Sequence, residues 1–587
     1  PQDDFYPTTA EAQLLAARFG DAWGNDLVYI SGAQRGRALS EKGWTVKVVE
    51  HAQTMPAALA LAAEIAAKPR ESLRLLKQHM ADALAPLVER IGSEPRPQSE
   101  PERAVDRPAK HTGKPHAARD DAREGIAVDM LSDTVASVRL CAGDATLPVL
   151  LTQLRATLDD LAPRGHVAVV LRSDHAGFLP GFLPGFSPDS GEAEEAQTVA
   201  AWVSLQATLS AFPVPVIVAF EHDADGIGWL LGLSADACIH GDRSHCSADA
   251  LWQHPALLRQ AMALFARRLG DNMARQCLLG AAAVASDALA SCAGLVARGD
   301  AADVLSAALA LAETSPLRSP VLLRQWRSLN RAPVLDSAAG EVPAASSATR
   351  AASSPLPHSP VIDIKVRDHG VIVVRMVDRD AKNMYSPELI RGLEAVFAHI
   401  EASDDYRVVV LTGYDTYFAC GGTRESLLAI QQGTAKFTDA KIYQLPMSCK
   451  LPVIAAMQGH AIGGGWTLGM FADLCLFSAE SRYISPYMQY GFTPGAGSTL
   501  IFPARLGFDL AKETLFTAVE YTGSELRAKG MTHGCGPRSE VLSRAIALAD
   551  AIASRAGDDV RALKQYFSAP HLAAVEATYA RELAMHD

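Results

Sequence analysis

The stretch LPVIAAMQGHAIGGGWTLGMFAD, residues 451–473, gives the clearest indication of the fold. It opens with a short apolar run that predicts a buried strand, and then passes through a glycine-rich turn into a predicted helix. A second stretch, FACGGTRESLLAI at 418–430, also places glycines between a strand and a helix. Glycine lets a backbone N–H approach a ligand closely, and a helix start adds unpaired N–H groups. Two such turns facing each other predict an oxyanion hole, although for either turn alone tight packing is the more common explanation.

The residues around these turns predict an α/β fold. The runs GVIVVRMV (370–377) and RVVVLTG (407–413) are rich in β-branched residues and predict two more buried strands. Between them, SPELIRGLEAVFAHIEA (386–402) has apolar residues at helical spacing, with Ser386 as the N-cap and Pro387 in the first turn. Strands that alternate with helices indicate α/β layering.

Two stretches of the 587-residue chain predict linkers. Residues 93–125 are rich in proline and charge, and residues 331–360 are rich in alanine, serine and proline. Neither stretch has enough apolar surface to hold a fixed shape. We therefore predict three segments, at residues 1–92, 126–330 and 361–587.

An internal repeat connects these segments. The motifs ARFG, ARRLG and ARLG end at Gly20, Gly270 and Gly507, one in each segment. Residues 215–236 of segment two also align without a gap with residues 452–473 of segment three. Segment one lacks this earlier half, either because the chain was cut there or because the natural protein carries only a fragment.

Composition excludes several classes of protein. The net charge of -12 argues against a general nucleic-acid binder, and no apolar run is long enough to span a bilayer. The nine cysteines are scattered and show no C-x-x-C. That pattern favours reduced thiols in a bacterial-type cytoplasm over disulfides or a zinc site. We therefore expect a cytoplasmic protein without a metal, a nucleic-acid partner or a membrane partner.

Three stretches in order resemble the crotonase (enoyl-CoA hydratase) superfamily: VVVLTGYDTYFACGGT, PVIAAMQGHAIGGGWTLGMFADLCLFS and YMQYGFTPGAGSTLIFPARLG. The resemblance extends over essentially all of residues 361–587. It implies a spiral ββα fold, here in tandem copies with helical C-terminal subdomains, and a trimer-type homo-oligomer. It also implies binding of acyl thioesters of CoA or acyl carrier protein without another cofactor, with the backbone N–H groups of Gly422 and Gly464 stabilising an enolate.

Finer detail separates this chain from the hydratases. Hydratases of the superfamily carry two catalytic glutamates, and the matching positions here are Thr467 and Tyr487. The stretches MQGHAIGGGW, MQYGFTPGAGST, GGTRESLLAIQQGTAKFTD and ELAMHD instead resemble the decarboxylating second crotonase (ECH2-type) of polyketide β-branching cassettes. That resemblance implies decarboxylation of a 3-methylglutaconyl group through a dienolate. The implied partners are an acyl carrier protein and polyketide synthase components.

The resemblance also implies a lysine and a histidine beside the substrate carboxylate. The lysine position matches Lys436, which would bind the carboxylate or serve as an acid. The alternative is a solvated lysine on a loop. The histidine position departs from the pattern, because LKQYF places Tyr566 there. Tyr566 would donate a proton, or the domain would be slow or catalyse an isomerisation instead.

Other polar residues have plainer interpretations. Segment one keeps a histidine, His79, in LKQHM. It would be lent to another half-site, or be a leftover of a crotonase whose first half lies upstream. We expect His460 to be a structural histidine, and Cys420 to be a packing residue rather than a nucleophile.

Segment two keeps the sequence pattern of the strand and the helix around the glycine turn, but it differs at the residues predicted to form the oxyanion hole. Ile227 stands where segment three has Gly464, so we predict that its β-branched side chain constricts and distorts the turn. The expected result is a crotonase fold without a working oxyanion hole. Three functions for the whole chain remain open: decarboxylase, enoyl thioester dehydratase or isomerase, and non-catalytic scaffold in a polyketide synthase.

Overall fold

The computed structural model describes residues 7–20, 24, 27–29, 35–41, 44–96, 125–179, 188–241, 243–280, 283–290, 296–299, 303–330, 355–437, 439 and 441–585. Most of both predicted linkers lies outside these residues. Contacts divide the chain into two compact units. The first unit comprises Pro1–Gln34, Leu87–Gly270 and Ala282–Leu335, and the second comprises Arg35–Pro86, Asp271–Ala281 and Asp336–Asp587. The second unit thus contains segment three together with two pieces from earlier in the chain, and the three-segment division stays a prediction.

The first unit contains a six-stranded sheet whose first pair is antiparallel and whose other pairs are parallel. Its strands, in order across the sheet, are Ile126–Met130, Val135–Leu140, Ala168–Ser173, Val216–Phe220, Ala237–Gly241 and Val296–Gly299. A smaller sheet contains Ala224–Asp225, His245–Ser247 and Val284–Ala285. The helices are Thr9–Phe19, Leu147–Leu161, Pro188–Ala211, Gly226–Ser234, Pro255–Leu269, Ser286–Ala290, Val304–Thr314 and Pro320–Asn330, with Ala85–Ser93 at the division between the units.

The second unit repeats this design. Its six-stranded sheet runs in the order Ile362–Val366, Val371–Met376, Val408–Thr412, Val453–Met457, Leu474–Ser478 and Gly534–Gly536. A four-stranded sheet contains Tyr417–Ala419, His460–Ile462, Arg482–Ile484 and Tyr521–Thr522. The helices are Gly36–Glu41, Thr54–Ala66, Arg70–Asp82, Asp271–Leu279, Pro387–Ala402, Arg424–Gln431, Leu445–Ser448, Gly464–Met470, Ser498–Leu506, Phe508–Thr517, Gly523–Ala528, Arg538–Ala553 and Gly557–Ala584.

The strands and the helix predicted around the glycine turns are confirmed. The predicted strands are the second, third and fourth of the larger sheet, and the predicted helix is Pro387–Ala402. Its start is fixed by Ser386, whose hydroxyl oxygen accepts a hydrogen bond of 3.1 Å from Leu389 N. The strands Val408–Thr412 and Val453–Met457 are buried along their whole length. Parallel strands covered on both faces read as continuous apolar runs, which explains the sequence pattern.

Matching side chains in the two units support the predicted internal repeat. The two six-stranded sheets have the same strand order and the same pairing directions. Asp236 of the first unit accepts a 2.8 Å hydrogen bond from Val216 N, and the aligned Asp473 accepts one of the same length from Val453 N. In each unit this hydrogen bond connects a residue shortly after a helix to the first residue of a buried strand, Val216 or Val453.

The glycine turn of segment two corrects one prediction. Gly226 has a φ of +48°, and the aligned Gly463 has a φ of +54°. The backbone of the turn is therefore kept at this position, and the predicted distortion by Ile227 is wrong there. The difference lies in the side chain, because a buried isoleucine, Ile227, 5% exposed, stands at the position aligned with Gly464.

Over the described ranges, no helix is long and apolar enough to cross a membrane.

Candidate functional site

A cavity of about 660 Å³ in the second unit brings three predicted site residues together. Gly422, Gly464 and Lys436 all line it, although they come from two glycine turns and a loop. The rest of the wall is mainly apolar, with aliphatic side chains and with aromatic ones that include Tyr385, Tyr443, Tyr487 and Phe492. Such a mostly apolar wall with a few polar groups is typical of a small-molecule site.

Tyr385 holds the two glycine turns against each other. Its hydroxyl donates a 2.7 Å hydrogen bond to Gly464 O, and its backbone N–H donates one of 2.7 Å to Gly421 O. A Cβ added at Gly421 would lie 3.2 Å from Gly464 N, so the turns are in direct contact. Gly464 opens the helix Gly464–Met470, where a backbone N–H has no intrahelical acceptor. Nothing in the local sequence marked Tyr385 for this role.

Gly464 is required for steric reasons. A Cβ at this position would lie 2.8 Å from Tyr443 Cε1 and 2.9 Å from Tyr385 Cε2. Both rings are buried and pack edge to face with their centroids 5.5 Å apart, so neither has room to move. Glycine therefore keeps the turn and the tyrosines in contact without displacing either.

Lys436 lies on the loop that follows the helix Arg424–Gln431. Its backbone N–H donates a 2.7 Å hydrogen bond to Asp439 Oδ2, while its side chain is exposed at the edge of the cavity. The neighbouring Phe437 is buried and packs edge to face on Tyr487, with ring centroids 5.6 Å apart. The loop is thus anchored by an aromatic contact that keeps a cation beside the cavity.

No carboxylate pair occupies the hydratase positions. Thr467 donates a 3.2 Å hydrogen bond to Gly463 O. Burial raises the pKa of Tyr487 well above its ordinary value, with smaller contributions from Tyr443 and Glu582 and an opposing hydrogen bond to Thr467. Both side chains are therefore neutral near pH 7, and neither supplies the general base that hydration needs.

Tyr566 is the predicted site residue that the structure does not place in this cavity. It lies on the long helix Gly557–Ala584 and is not among the described residues that line the cavity. Its ring packs edge to face against Phe567 at 5.2 Å. The preceding Lys564 is buried and forms a 2.7 Å ion pair with Asp473, which fixes the direction of this helix face.

His460 has the structural role that we predicted. Its Nδ1 accepts a 3.0 Å hydrogen bond from Arg482 N. In the first unit the aligned Asp223 accepts a 2.7 Å hydrogen bond from the aligned His245 N. The aligned positions of both units therefore carry a side-chain acceptor for a backbone N–H, an imidazole in one and a carboxylate in the other.

Cys420 lines the cavity as a neutral thiol. Burial raises its pKa to about 11, and Lys382 opposes this rise only weakly. A thiol with so high a pKa is a poor nucleophile at neutral pH, which agrees with the predicted packing role.

Glu582 is a buried acid that we did not predict. It is 2% exposed, and it accepts hydrogen bonds from Gly497 N (2.7 Å), Thr499 N (3.0 Å) and Thr499 Oγ1 (2.7 Å). Burial raises its pKa from 4.5 to about 7, against the hydrogen bonds and Arg581. His79 reaches the same cluster through a 2.9 Å hydrogen bond between its Nε2 and Thr499 Oγ1. His79 itself is not among the described residues that line the cavity.

Replacing Glu582 by glutamine is expected to change how stability depends on pH. Because the pKa of Glu582 is higher in the folded state than in the unfolded state, the folded state keeps this carboxyl protonated up to a higher pH. The resulting stabilisation is complete below about pH 4.5 and is lost as the pH rises through about 7, by roughly 3 kcal/mol. Thermal unfolding at pH 5 and pH 8 is therefore expected to show a smaller difference in Tm for Glu582→Gln than for the parent. The matched control is Glu576→Gln on the same helix, which removes an exposed carboxylate. An unchanged pH dependence in Glu582→Gln would contradict the assignment.

The C-terminal part of the chain is similar to known proteins. A family model described as enoyl-CoA hydratase/isomerase matches residues 366–587. The bacillaene synthase decarboxylase PksI of Bacillus subtilis is 45% identical over 227 residues, which cover 39% of this chain and 91% of the relative. Carnitinyl-CoA dehydratase of Proteus mirabilis is 29% identical over 216 residues, which cover 36% of this chain and 82% of the relative.

Two solved structures match a similar share of the chain. One comes from a dehydratase/decarboxylase enzyme couple involved in polyketide β-branching, at 45% identity, 38% coverage of this chain, 92% coverage of the other and a TM-score of 0.38. The other is the ECH2 decarboxylase domain of CurF from Lyngbya majuscula, at 37% identity, the same two coverages and a TM-score of 0.37.

The family model and the 45% identity over 91% of PksI show that this protein is an enzyme of the crotonase superfamily. The chain belongs to the enoyl-CoA hydratase/isomerase family.

Proposed function

We propose that the second unit decarboxylates a 3-methylglutaconyl-type acyl thioester carried by an acyl carrier protein in polyketide β-branching. The observation that carries this proposal is the convergence of Gly422, Gly464 and Lys436 on one cavity. The 45% identity to a synthase decarboxylase over most of that relative's length supports the same chemistry. The absence of carboxylates at positions 467 and 487 argues against the hydration chemistry of other family members.

The proposed reaction uses the cavity as follows. The bond between the carboxylate carbon and the acyl chain breaks, and its electron pair moves into the unsaturated thioester to give a dienolate while CO₂ leaves. The N–H groups of Gly422 and Gly464 stabilise the oxygen that gains charge. Lys436 binds and orients the carboxylate before CO₂ leaves, or acts as the acid. A proton then returns to carbon and restores the thioester.

The edge of the cavity suits a substrate delivered on a flexible arm. Tyr490 and Leu428 line the cavity and are 61% and 43% exposed. Exposed apolar side chains at a cavity mouth favour contact with the phosphopantetheine arm of a carrier protein or CoA. We expect no further cofactor, and we propose polyketide synthase components as partners and a trimer-type homo-oligomer as the assembly.

A non-catalytic scaffold is less well supported for the second unit. A scaffold has no need of an open cavity and would be expected to fill it with side chains, whereas a cavity of about 660 Å³ remains here. The first unit is different, because Ile227 is buried at the aligned position. We propose that the first unit is a crotonase-like domain without a working oxyanion hole, and that its role is structural or in docking.

The Tyr566→Phe variant tests the least supported residue of the proposed site. Since Tyr566 does not line the cavity, removal of its hydroxyl is expected to leave kcat/KM for decarboxylation within about twofold of the parent. Steady-state kinetics with the acyl carrier protein substrate would measure this. A loss of about tenfold or more in kcat, with an unchanged Tm, would restore Tyr566 as a proton donor.

A further inference from the structure

The helix Arg70–Asp82, which we call the docking helix, lies far before segment three in sequence but belongs to the second unit. Its buried residues Ser72, Leu76 and Met80 are spaced four apart and form one face. Leu76 is fully buried and Met80 is 4% exposed, and both pack in the apolar core formed by segment three. The helix is therefore an integral part of this unit and not a loose attachment.

Two polar contacts of the docking helix reach one segment beside the cavity. Ser72 Oγ donates a 3.1 Å hydrogen bond to Gly491 O, and His79 Nε2 lies 2.9 Å from Thr499 Oγ1. We call residues 490–499 the wall segment, because Tyr490 and Phe492 within it line the cavity. The docking helix thus contacts the wall segment near both of its ends.

Glu582 holds the wall segment from the helix Gly557–Ala584. Its carboxylate accepts two hydrogen bonds from Thr499 and one from Gly497. Because the Thr499 hydroxyl donates its proton to Glu582, the Thr499 oxygen accepts a hydrogen bond from His79 Nε2–H. The chain Glu582–Thr499–His79 therefore links two helices through one threonine.

The backbone of the wall segment needs this support. Ala496 has a φ of +61° and Gly497 a φ of +78°. A left-handed alanine is strained and persists only where surrounding contacts hold it. Gly497 is also closely packed, since an added Cβ would lie 2.8 Å from Phe471 Cζ.

We propose that the docking helix acts in cis to position the wall segment of the cavity, with Ser72 and His79 as positioning residues. Segment one would then serve as a supporting piece of the second unit's site, although it lacks the first half of a crotonase domain. The wall segment contacts the acyl group, and the docking helix sets how tightly that group is held. The catalytic consequence rests on the proposed function, whereas the effect on the wall segment does not.

The structural consequence is tested by hydrogen–deuterium exchange on the full chain. The double variant Ser72→Ala/His79→Ala is expected to raise amide exchange in residues 490–499 by about tenfold or more, because two hydrogen bonds are lost. The side-chain amide of glutamine offers a donor near the position of His79 Nε2. Amide exchange in residues 490–499 is therefore expected to be slower in His79→Gln than in His79→Ala. The control Lys77→Ala changes an exposed residue of the same helix and should leave exchange unchanged. Parent-like exchange in the double variant would overturn the proposal.

The catalytic consequence is tested with the same variants. The double variant is expected to raise KM for the acyl carrier protein substrate by about fivefold to tenfold with a smaller change in kcat, since the wall segment does not contain Gly422, Gly464 or Lys436. Faster exchange with unchanged KM would overturn the positioning role. If the parent chain itself does not decarboxylate, the proposed function fails. In that case the role of the docking helix is still tested by amide exchange in residues 490–499 and by calorimetric measurement of the affinity of each variant for an acyl-pantetheine.

Discussion

Replacement of Gly464 by alanine is expected to lower kcat for decarboxylation by about 100-fold or more, the usual cost of losing one oxyanion-hole donor. The new Cβ would lie within 3 Å of the rings of Tyr443 and Tyr385. Both rings are buried, so the turn and its N–H must move away from the position where the thioester oxygen develops charge. The measurement is single-turnover decarboxylation at saturating enzyme.

Gly557→Ala is the matched control for Gly464→Ala. An added Cβ there meets only the end of the Arg561 side chain, at 3.6 Å, so no contact has to give way. We expect its kcat to equal that of the parent. Thermal unfolding of both variants separates a local change of the turn from a general loss of structure. A Gly464→Ala variant with parent-like kcat would remove this turn from the proposed mechanism.

Replacement of Lys436 by alanine is the second change with a large expected effect. If the ammonium group binds the substrate carboxylate, its loss should lower kcat/KM by about 100-fold. The exposed position of Lys436 at the cavity edge means that the fold does not depend on its side chain. We therefore expect an unchanged Tm and a specific loss of turnover.

Lys441→Ala is the control for the charge of Lys436. Lys441 is also exposed, but it forms an ion pair of 2.7 Å with Glu576 and does not line the cavity. Its replacement is expected to leave kcat/KM within about twofold, because exposed ion pairs contribute little. Equal losses in the two variants would indicate a general electrostatic effect and would contradict the specific role of Lys436.

Local patterns in the sequence were sufficient to predict the frame of the site. The apolar runs at 370–377, 407–413 and 451–457 became strands because parallel strands buried on both faces require continuous apolar residues. The helix Pro387–Ala402 begins at the predicted cap Ser386 for an equally local reason. The glycine turns could be found because a backbone that approaches another so closely excludes every side chain.

The parts of the site that depend on long-range packing were not predicted. Tyr385 contacts Gly464 across 79 residues, and no local pattern distinguishes it from any other buried tyrosine. Glu582 opens the quoted stretch ELAMHD, but its burial and its hydrogen bonds from Gly497 N and Thr499 N appear only in the folded chain. His79 was predicted either to be lent to another half-site or to be a leftover, and its contact with Thr499, 420 residues away, could not be foreseen because it depends on the packing of the docking helix. Tyr566 was predicted from a motif position alone, and the structure places it away from the cavity lining.

We propose that this chain removes CO₂ from a carrier-protein-bound 3-methylglutaconyl thioester. Mass spectrometry of that loaded acyl carrier protein, before and after incubation with the full chain, detects this reaction without a coupled assay. We predict a loss of about 44 Da, the mass of CO₂, with the parent protein and no such loss with Lys436→Ala over the same time. An unchanged mass with the parent, while the loaded carrier protein still binds, would contradict decarboxylation and leave isomerisation or a scaffold role.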